Sequence, residues 1–220
     1  MRSIVIAIDG PAGAGKSTVA KALAQDLGLR YLDTGAMYRC LALRAQQAGI
    51  EGSQGEAAAA LLNQIEITFG PGDPQTVWID GEEVTASIRQ PEIGELASQL
   101  SAHGPVRQEM VRRQQAIVAD GGVTLEGRDA TTVIAPYADV KVYLTASLEE
   151  RARRRTEELL QKGMAVEFQS IRHDVELRDH RDITRSESPL TVAQGAHIVE
   201  SGGWPIAEVV ARIKALIPLD

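Results

Sequence analysis

"SIVIAIDGPAGAGKSTVAKALAQDLG", residues 3–28, decides the fold. Residues 3–9 are a near-continuous apolar run rich in β-branched side chains, the pattern of a strand buried on both faces of a parallel sheet. Val19, Ala20, Leu23, Ala24 and Leu27 then recur at helical spacing, with Gly28 as a stop. Between them lies "GPAGAGKS", residues 10–17, which fits G-x-x-x-x-G-K-[ST]. That motif requires a strand before it and a helix after it, and both are present. In such a loop, successive backbone N–H groups point at phosphate oxygens and the helix adds the positive end of its dipole. Gly10, Pro11, Ala12, Gly13, Ala14, Gly15, Lys16, Ser17 and Thr18 are therefore the candidate residues for binding a nucleotide's phosphates. Lys16 would bridge the β- and γ-phosphates, and the Ser17 hydroxyl would meet Mg²⁺.

Outward from this unit, strand and helix keep alternating. "RYLD" reads as a strand and residues 35–49 as a helix; residues 50–64 read as a turn and an Ala/Leu helix. "IEITF", "TVWID" and "EEVT", split by "GPGDPQ" and by Asp80-Gly81, read as a small antiparallel meander. Helical spacing returns over 91–102 and 105–120. "GVTLEGRDATTV" is read as a strand, followed by another at 139–146. Ser147 and Glu150 form a capping box ahead of a helix over 147–163. A polar helix, the strand "AHIVES" and a last helix complete the chain. The pattern predicts an α/β fold: a parallel sheet flanked by helices, with a small antiparallel insert.

Composition narrows the function. The 220 residues carry a net charge of −7, whereas a protein that wraps nucleic acid is usually basic. No apolar run approaches the roughly 18 residues of a membrane span. The N-terminal run leads into the glycine loop and is not read as a signal peptide. A single cysteine, Cys40, excludes an intramolecular disulfide and fits a reducing compartment. No Cys/His cluster has zinc spacing. A cytoplasmic monomer acting on a small molecule is expected, without nucleic acid or membrane partners.

The phosphate loop names a nucleotide but no reaction; GTPases, motor ATPases and small-molecule kinases all use it. The chain lacks the Asn-Lys-x-Asp run that reads guanine. Its basic residues are 18 arginines and 5 lysines. Arginine's planar fork suits phosphate recognition. If the acceptor is itself a phosphate, donor and acceptor repel by about 4 kcal/mol per charge pair at about 4 Å and an effective dielectric near 20. Arginines and Mg²⁺ must screen that repulsion. A general base is hardly needed, because a phosphate monoester is mostly dianionic at neutral pH. Arg39, Arg107 and Arg128 lie near element ends, Arg151, Arg153, Arg154 and Arg155 crowd one helix, and Arg178, Arg181 and Arg185 follow in the next. Arg151 to Arg155 cannot all face one way, so some must be solvated or paired with Glu149, Glu150, Glu157 and Glu158. Asp179 and Asp182 could be simple salt-bridge partners.

"YLDTGAMYR", "DGEEVTASIRQPEI", "ASQLSAHGPVR", "EGRD", "LTASLEERARRR" and "LRDHRDITRSESPL", with the loop, run over essentially the whole chain. Together they resemble bacterial cytidylate kinases, a branch of the nucleoside monophosphate kinases. The resemblance implies one kinase domain: a core of residues 1–63, 101–149 and 186–220, a monophosphate-binding insert at about 64–100 and a lid at about 150–185. It implies phosphorylation of CMP and dCMP by ATP. Thr34, Arg39 and Arg128 would meet the acceptor phosphate; Ser98, Arg107 and Asp129 would read the cytosine edge. Arg178 and Asp182 would hold the ribose side, Arg185 the phosphates in transfer, and Arg154 the donor. Lys16, Arg128, Arg154, Asp182 and Arg185 would be the catalytic set, with Glu126 reaching Mg²⁺ through water. The chain departs from the family pattern with Glu126 where Asp is expected and Ala130-Thr131 where Ile-Gly is expected.

Two other readings stay open on the residues alone. One is a related kinase acting on UMP, AMP or a hydroxyl, with Asp33 pressed into service as a base. The other is a nucleotide-hydrolysing switch.

Overall fold

The computed structural model describes residues 3–72 and 75–218. The chain divides into two compact units, residues 33–117 and the two flanking segments together.

The flanking segments build a five-stranded sheet in the order β2-β6-β1-β7-β8. Its strands are β1 (Ser3–Asp9), β2 (Arg30–Asp33), β6 (Gly121–Gly127), β7 (Val140–Thr145) and β8 (His197–Glu200). β1 pairs in parallel with β6 and β7, and β7 with β8. Ile6, Ile8, Val140, Val142, Leu144 and Val199 of the sheet pack with Val19, Ala20 and Leu23 of α1 (Lys16–Leu27) and with Val209, Val210 and Ile213 of α8 (Ile206–Lys214). Each valine, isoleucine or leucine among them contributes about 1.5–3 kcal/mol by leaving water. Truncating Leu23 to Ala would cost about 2–5 kcal/mol because the space could only partly collapse.

Two helices complete this unit, α6 (Leu148–Gln161) and α7 (Phe168–Thr184). Ser147 caps α6 by accepting from the Glu150 N–H, but the Glu150 carboxylate turns to Arg153 and Arg154. Arg153 also pairs with Glu157, and Arg155 with Glu158, so the arginine cluster divides between solvent-side pairs and inward contacts.

The middle unit holds α2 (Thr34–Gln47), α3 (Gly55–Leu62), α4 (Pro91–Leu100) and most of α5 (Gly104–Val118), with the meander β3 (Ile67–Phe69), β4 (Val77–Ile79) and β5 (Glu82–Glu83). The meander is antiparallel, as read from sequence. Asp80 and Gly81 join β4 to β5 with φ of 52° and 80°, the left-handed pair a two-residue hairpin needs. Asp73 and Pro74 of the "GPGDPQ" turn lie outside the described residues. Met37, Leu41, Leu62, Ile79, Ile88, Ile93, Leu100 and Met110 are fully buried. Cys40 is buried in α2, and burial, helped by the Asp33 charge, pushes its thiol up to about 12.

One element differs from the sequence reading. The strand stops at Gly127, and Ala130–Ile134 form a single π-helical turn. Its Ile134 and Ala135 N–H groups donate to the Asp129 and Ala130 carbonyls.

Candidate active site

β1 and β6 are in register so that Ile8 faces Glu126 and Asp9 faces Gly127. The strands therefore end together, and the glycine loop emerges beside "EGRD" at the carboxyl edge, where open parallel sheets bind ligands. Gly10 is obligatory here. With φ of 149°, a Cβ would lie 1.9 Å from the Leu144 carbonyl oxygen, inside any tolerable contact.

The loop joins β1 to α1, the strand and helix that the motif requires. Lys16 opens α1, is buried, and donates to the Pro11 carbonyl at 2.8 Å. Burial lowers its ammonium to about 7; Arg128 and Arg178 push the same way, while Glu126 and Asp182 oppose. Ser17 donates to Glu126 Oε1 at 2.8 Å. A hydroxyl and a carboxylate thus meet at the loop's end, and hard oxygen donors of this kind suit Mg²⁺.

Arg128 Nε donates to Asp182 Oδ2 at 2.7 Å, and Arg185 lies 3.5 Å from Asp182 Oδ1. Burial alone would raise the Asp182 carboxyl, but Arg128, Arg178 and Arg185 outweigh it and hold the group below its usual range. Arg185 also grips the Ser188 carbonyl with Nε at 2.9 Å and Nη2 at 2.6 Å. Arg128, Arg178 and Arg185 thus converge on the one carboxylate of Asp182, with Lys16 alongside, and three guanidiniums around one carboxylate leave positive charge there. A polyanion is the ligand that would balance it.

Arg154 lies at the other end of the loop. It donates to the Ser201 carbonyl at 2.7 Å and to Ser201 Oγ at 3.1 Å, and Nη1 lies 3.5 Å from the Ala14 carbonyl. With Gly15, Thr18, Ser201 and Trp204 it lines a cavity of about 120 Å³.

Asp129 is buried at the start of the π turn, its carbonyl oxygen accepting from the Val133 and Ile134 N–H groups. The turn is held by a residue the sequence reading passed over. Asp9 Oδ1 accepts from the Ala130 N–H at 2.8 Å; Oδ2 accepts from the Thr131 N–H at 2.7 Å and from Thr131 Oγ1 at 2.5 Å. Burial raises the Asp9 carboxyl to about 6 against these three hydrogen bonds. The only sequence signal was a carboxylate closing an apolar strand. Thr131, one of the departures from the family pattern, supplies two of the three bonds, one from its backbone and one from its hydroxyl.

The remaining expected residues belong to the middle unit. Thr34 opens α2, whose N-terminus Asp33 caps by accepting from the Ala36 N–H at 2.8 Å. Asp33 also pairs with Arg89 at 2.7 Å. A carboxylate so engaged is poorly placed to serve as a base. Arg39 Nη1 donates to the Ile88 carbonyl at 2.9 Å and lies close against Gly94. Ser98 and Arg107 are both buried and meet through Ser101: its hydroxyl donates to the Ser98 carbonyl, and its carbonyl accepts from Arg107 at 3.1 Å. Arg107 also lies over the Tyr38 ring. His180, between the arginine–aspartate pairs of α7, is exposed.

No helix among the described residues is long and apolar enough to cross a membrane. Among the same residues, no group of three or more His, Cys, Asp or Glu could hold a metal, so a cation here would depend on its ligand's oxygens as well.

The chain is similar to solved structures across its length. A gluconokinase from Sinorhizobium meliloti matches with a TM-score of 0.51 at 16% identity, covering 98% of this chain and 91% of that one. An uncharacterized protein from Eubacterium ventriosum matches at 0.54 and 11% identity, covering 98% of each. At such identity the likeness shows the fold alone. The cytidylate kinase of Limosilactobacillus fermentum is 44% identical over 99% of this chain and 96% of that protein. The cytidylate kinase of Enterococcus faecalis is 46% identical with the same coverage. A bifunctional pantoate ligase/cytidylate kinase of Synechococcus sp. is 46% identical over 98% of this chain, which spans 41% of that relative. The family model for cytidylate kinase matches residues 6–219, and with these relatives it shows that the chain belongs to the cytidylate kinase family.

Proposed function

We propose that this enzyme transfers the γ-phosphoryl group of ATP to CMP and dCMP, giving CDP or dCDP and ADP. The observation that carries the reading is the cluster of buried Lys16 and half-buried Arg128, Arg178 and Arg185 around buried Asp182, beside the glycine loop of a cytidylate kinase family member. An acceptor phosphate oxygen attacks the γ-phosphorus in line, and the bond to the β,γ-bridging oxygen breaks. ADP leaves with that electron pair. The acceptor arrives already ionised, so the protein removes no proton. Its work is positioning and charge stabilisation.

Each side chain then has a role. The loop N–H groups and Lys16 hold the donor phosphates, with Lys16 following charge toward the leaving group. Bound phosphate would restore the proton that burial loosens from Lys16. Ser17, with Glu126 through water, would hold Mg²⁺, which when bound screens the donor's β- and γ-oxygens. Arg154, which lines the cavity beside Ser201 and Trp204, takes the donor nucleotide. Thr34, Arg39 and Arg128 take the acceptor phosphate, Arg178 and Asp182 the ribose, and Arg185 the phosphoryl group in transfer. Ser98, Arg107 and Asp129 read the base, with Asp129 accepting from the cytosine amino group. UMP offers a carbonyl there, so the carboxylate would repel it; such mismatches cost about 1–3 kcal/mol or more. Residues near 150–185 act as a lid that keeps water from the donor. The enzyme works as a cytoplasmic monomer on diffusing nucleotides.

Coupled ADP release with a panel of monophosphates tests this reading. CMP and dCMP should stimulate ATP turnover well above UMP and AMP. Equal stimulation by all four would remove the cytidylate assignment.

A further inference from the structure

Ala12 sits near the crown of the phosphate loop, and side chains of α6 and α7 hold both of its peptide groups. Its N–H donates to Asp179 Oδ1 at 2.9 Å. Its carbonyl accepts from Arg151 Nη1 at 2.9 Å. Arg151 Nη1 also donates to Asp179 Oδ2, and Arg151 Nε donates to the Ala146 carbonyl, just past β7, at 3.0 Å. One guanidinium therefore joins the sheet edge, the loop and α7. The two side chains are only 8% and 12% exposed. Ala12 also packs in a small apolar cluster with Leu159 of α6 and Ile171 and Val175 of α7. At Gly13, φ is +77° and a Cβ would lie 3.1 Å from Arg151 Cβ, so the loop backbone presses directly on α6.

A buried ion pair is a poor device for stability alone, because desolvation consumes most of the Coulombic gain and an apolar pair of equal volume often does better. An apolar pair, however, could not grip a peptide group on both sides. We infer that Arg151 and Asp179 are positioning residues for the donor. They fix the loop at Ala12, so that the N–H groups that follow it face the donor phosphates, and they couple the base of α6 and α7 to that loop. Neither residue touches the reacting atoms. The inference rests on the reading of the loop as the ATP site.

The test is calorimetric binding of a non-hydrolysable ATP analogue and, separately, of CMP, together with the KM for each substrate. Asp179→Ala removes the acceptor and the charge, Asp179→Asn keeps an acceptor for the Ala12 N–H, and Arg151→Lys keeps a charge but loses the fork. Asp179→Ala and Arg151→Lys should weaken the analogue and raise the KM for ATP by roughly tenfold or more. CMP affinity and its KM should stay within about twofold, and Asp179→Asn should recover most of the analogue affinity. Equal weakening of both ligands, or a lower Tm with analogue affinity intact, would make the pair a mere cement between helices and overturn the inference. If Asp179→Ala does not fold, Arg151→Lys against Asp179→Asn decides by the same criteria. A wild-type enzyme that binds no analogue would instead overturn the ATP-site reading itself, and this inference with it.

Discussion

Ser17 Oγ donates to Glu126 Oε1 across 2.8 Å, joining the first turn of α1 to the end of β6. The two residues are the proposed cation ligands, one direct and one through water. Glu126→Gln keeps the size of the side chain but removes its charge. It should raise the Mg²⁺ concentration for half-maximal rate by roughly tenfold, while Glu126→Asp should stay near wild type. Titrating Mg²⁺ at fixed ATP checks this. An unchanged requirement in Glu126→Gln would remove Glu126 from the cation's surroundings.

Lys16 opposes function to stability. Its ammonium is lowered from 10.5 to about 7, mainly by burial. The unfolded chain keeps that proton up to about the ordinary lysine value, so between the two values it binds more protons than the fold. The empty protein therefore gains stability with rising pH across that window, and the cost of the buried charge is full below about 7. Lys16→Met should cut turnover by at least about 10³-fold, yet raise the Tm of the nucleotide-free protein at pH 6.5 by roughly 4–8 °C. The gain should shrink toward pH 10. Melting curves at the two pH values check the sign, and a lower Tm at both would refute it.

Asp9 runs the other way. Burial, with the Asp129 charge, raises its carboxyl from 3.8 to about 6. The fold keeps a proton there that the unfolded chain has released, so stability falls as pH climbs through that interval and the cost is complete above it. Thr131→Val deletes one bond to the ionised form. The loss should be about 1.5–3 kcal/mol at pH 8 and smaller at pH 5, where Asp9 is mostly protonated. Urea unfolding at both pH values measures it; an equal loss at both would show that the Thr131 hydroxyl does not serve the carboxylate.

Asp129 should govern base choice. Asp129→Ala should lower kcat/KM for CMP at least about tenfold more than for UMP, because only cytosine offers an amino group to that carboxylate. Parallel kinetics with the two substrates decide it. An equal loss for both would assign Asp129 to the framework of the π turn.

Most of the fold was legible because local pattern and tertiary demand agree. The run at 3–9, the helical spacing from Val19 to Leu27 and the Asp80-Gly81 turn each describe themselves. "ATTVI" did not. Its β-branched residues read as strand, but Asp9, more than 120 positions away, holds its N–H groups in a π turn. Long-range bonds from a buried carboxylate override local propensity there. The arginine cluster was legible only in part. Its spacing requires that some members face solvent, but Arg151 turns inward because Asp179 waits on another helix. The pair that grips Ala12 is invisible in sequence for the same reason.

On the proposed function, this charge cluster brings two phosphates together and joins them. Phosphorus NMR of the enzyme with Mg²⁺, ATP and CMP tests it most directly. ADP and CDP should appear in equal amounts, with the γ-phosphorus recovered as the β-phosphorus of CDP. ADP accompanied by inorganic phosphate, with CMP untouched, would contradict it.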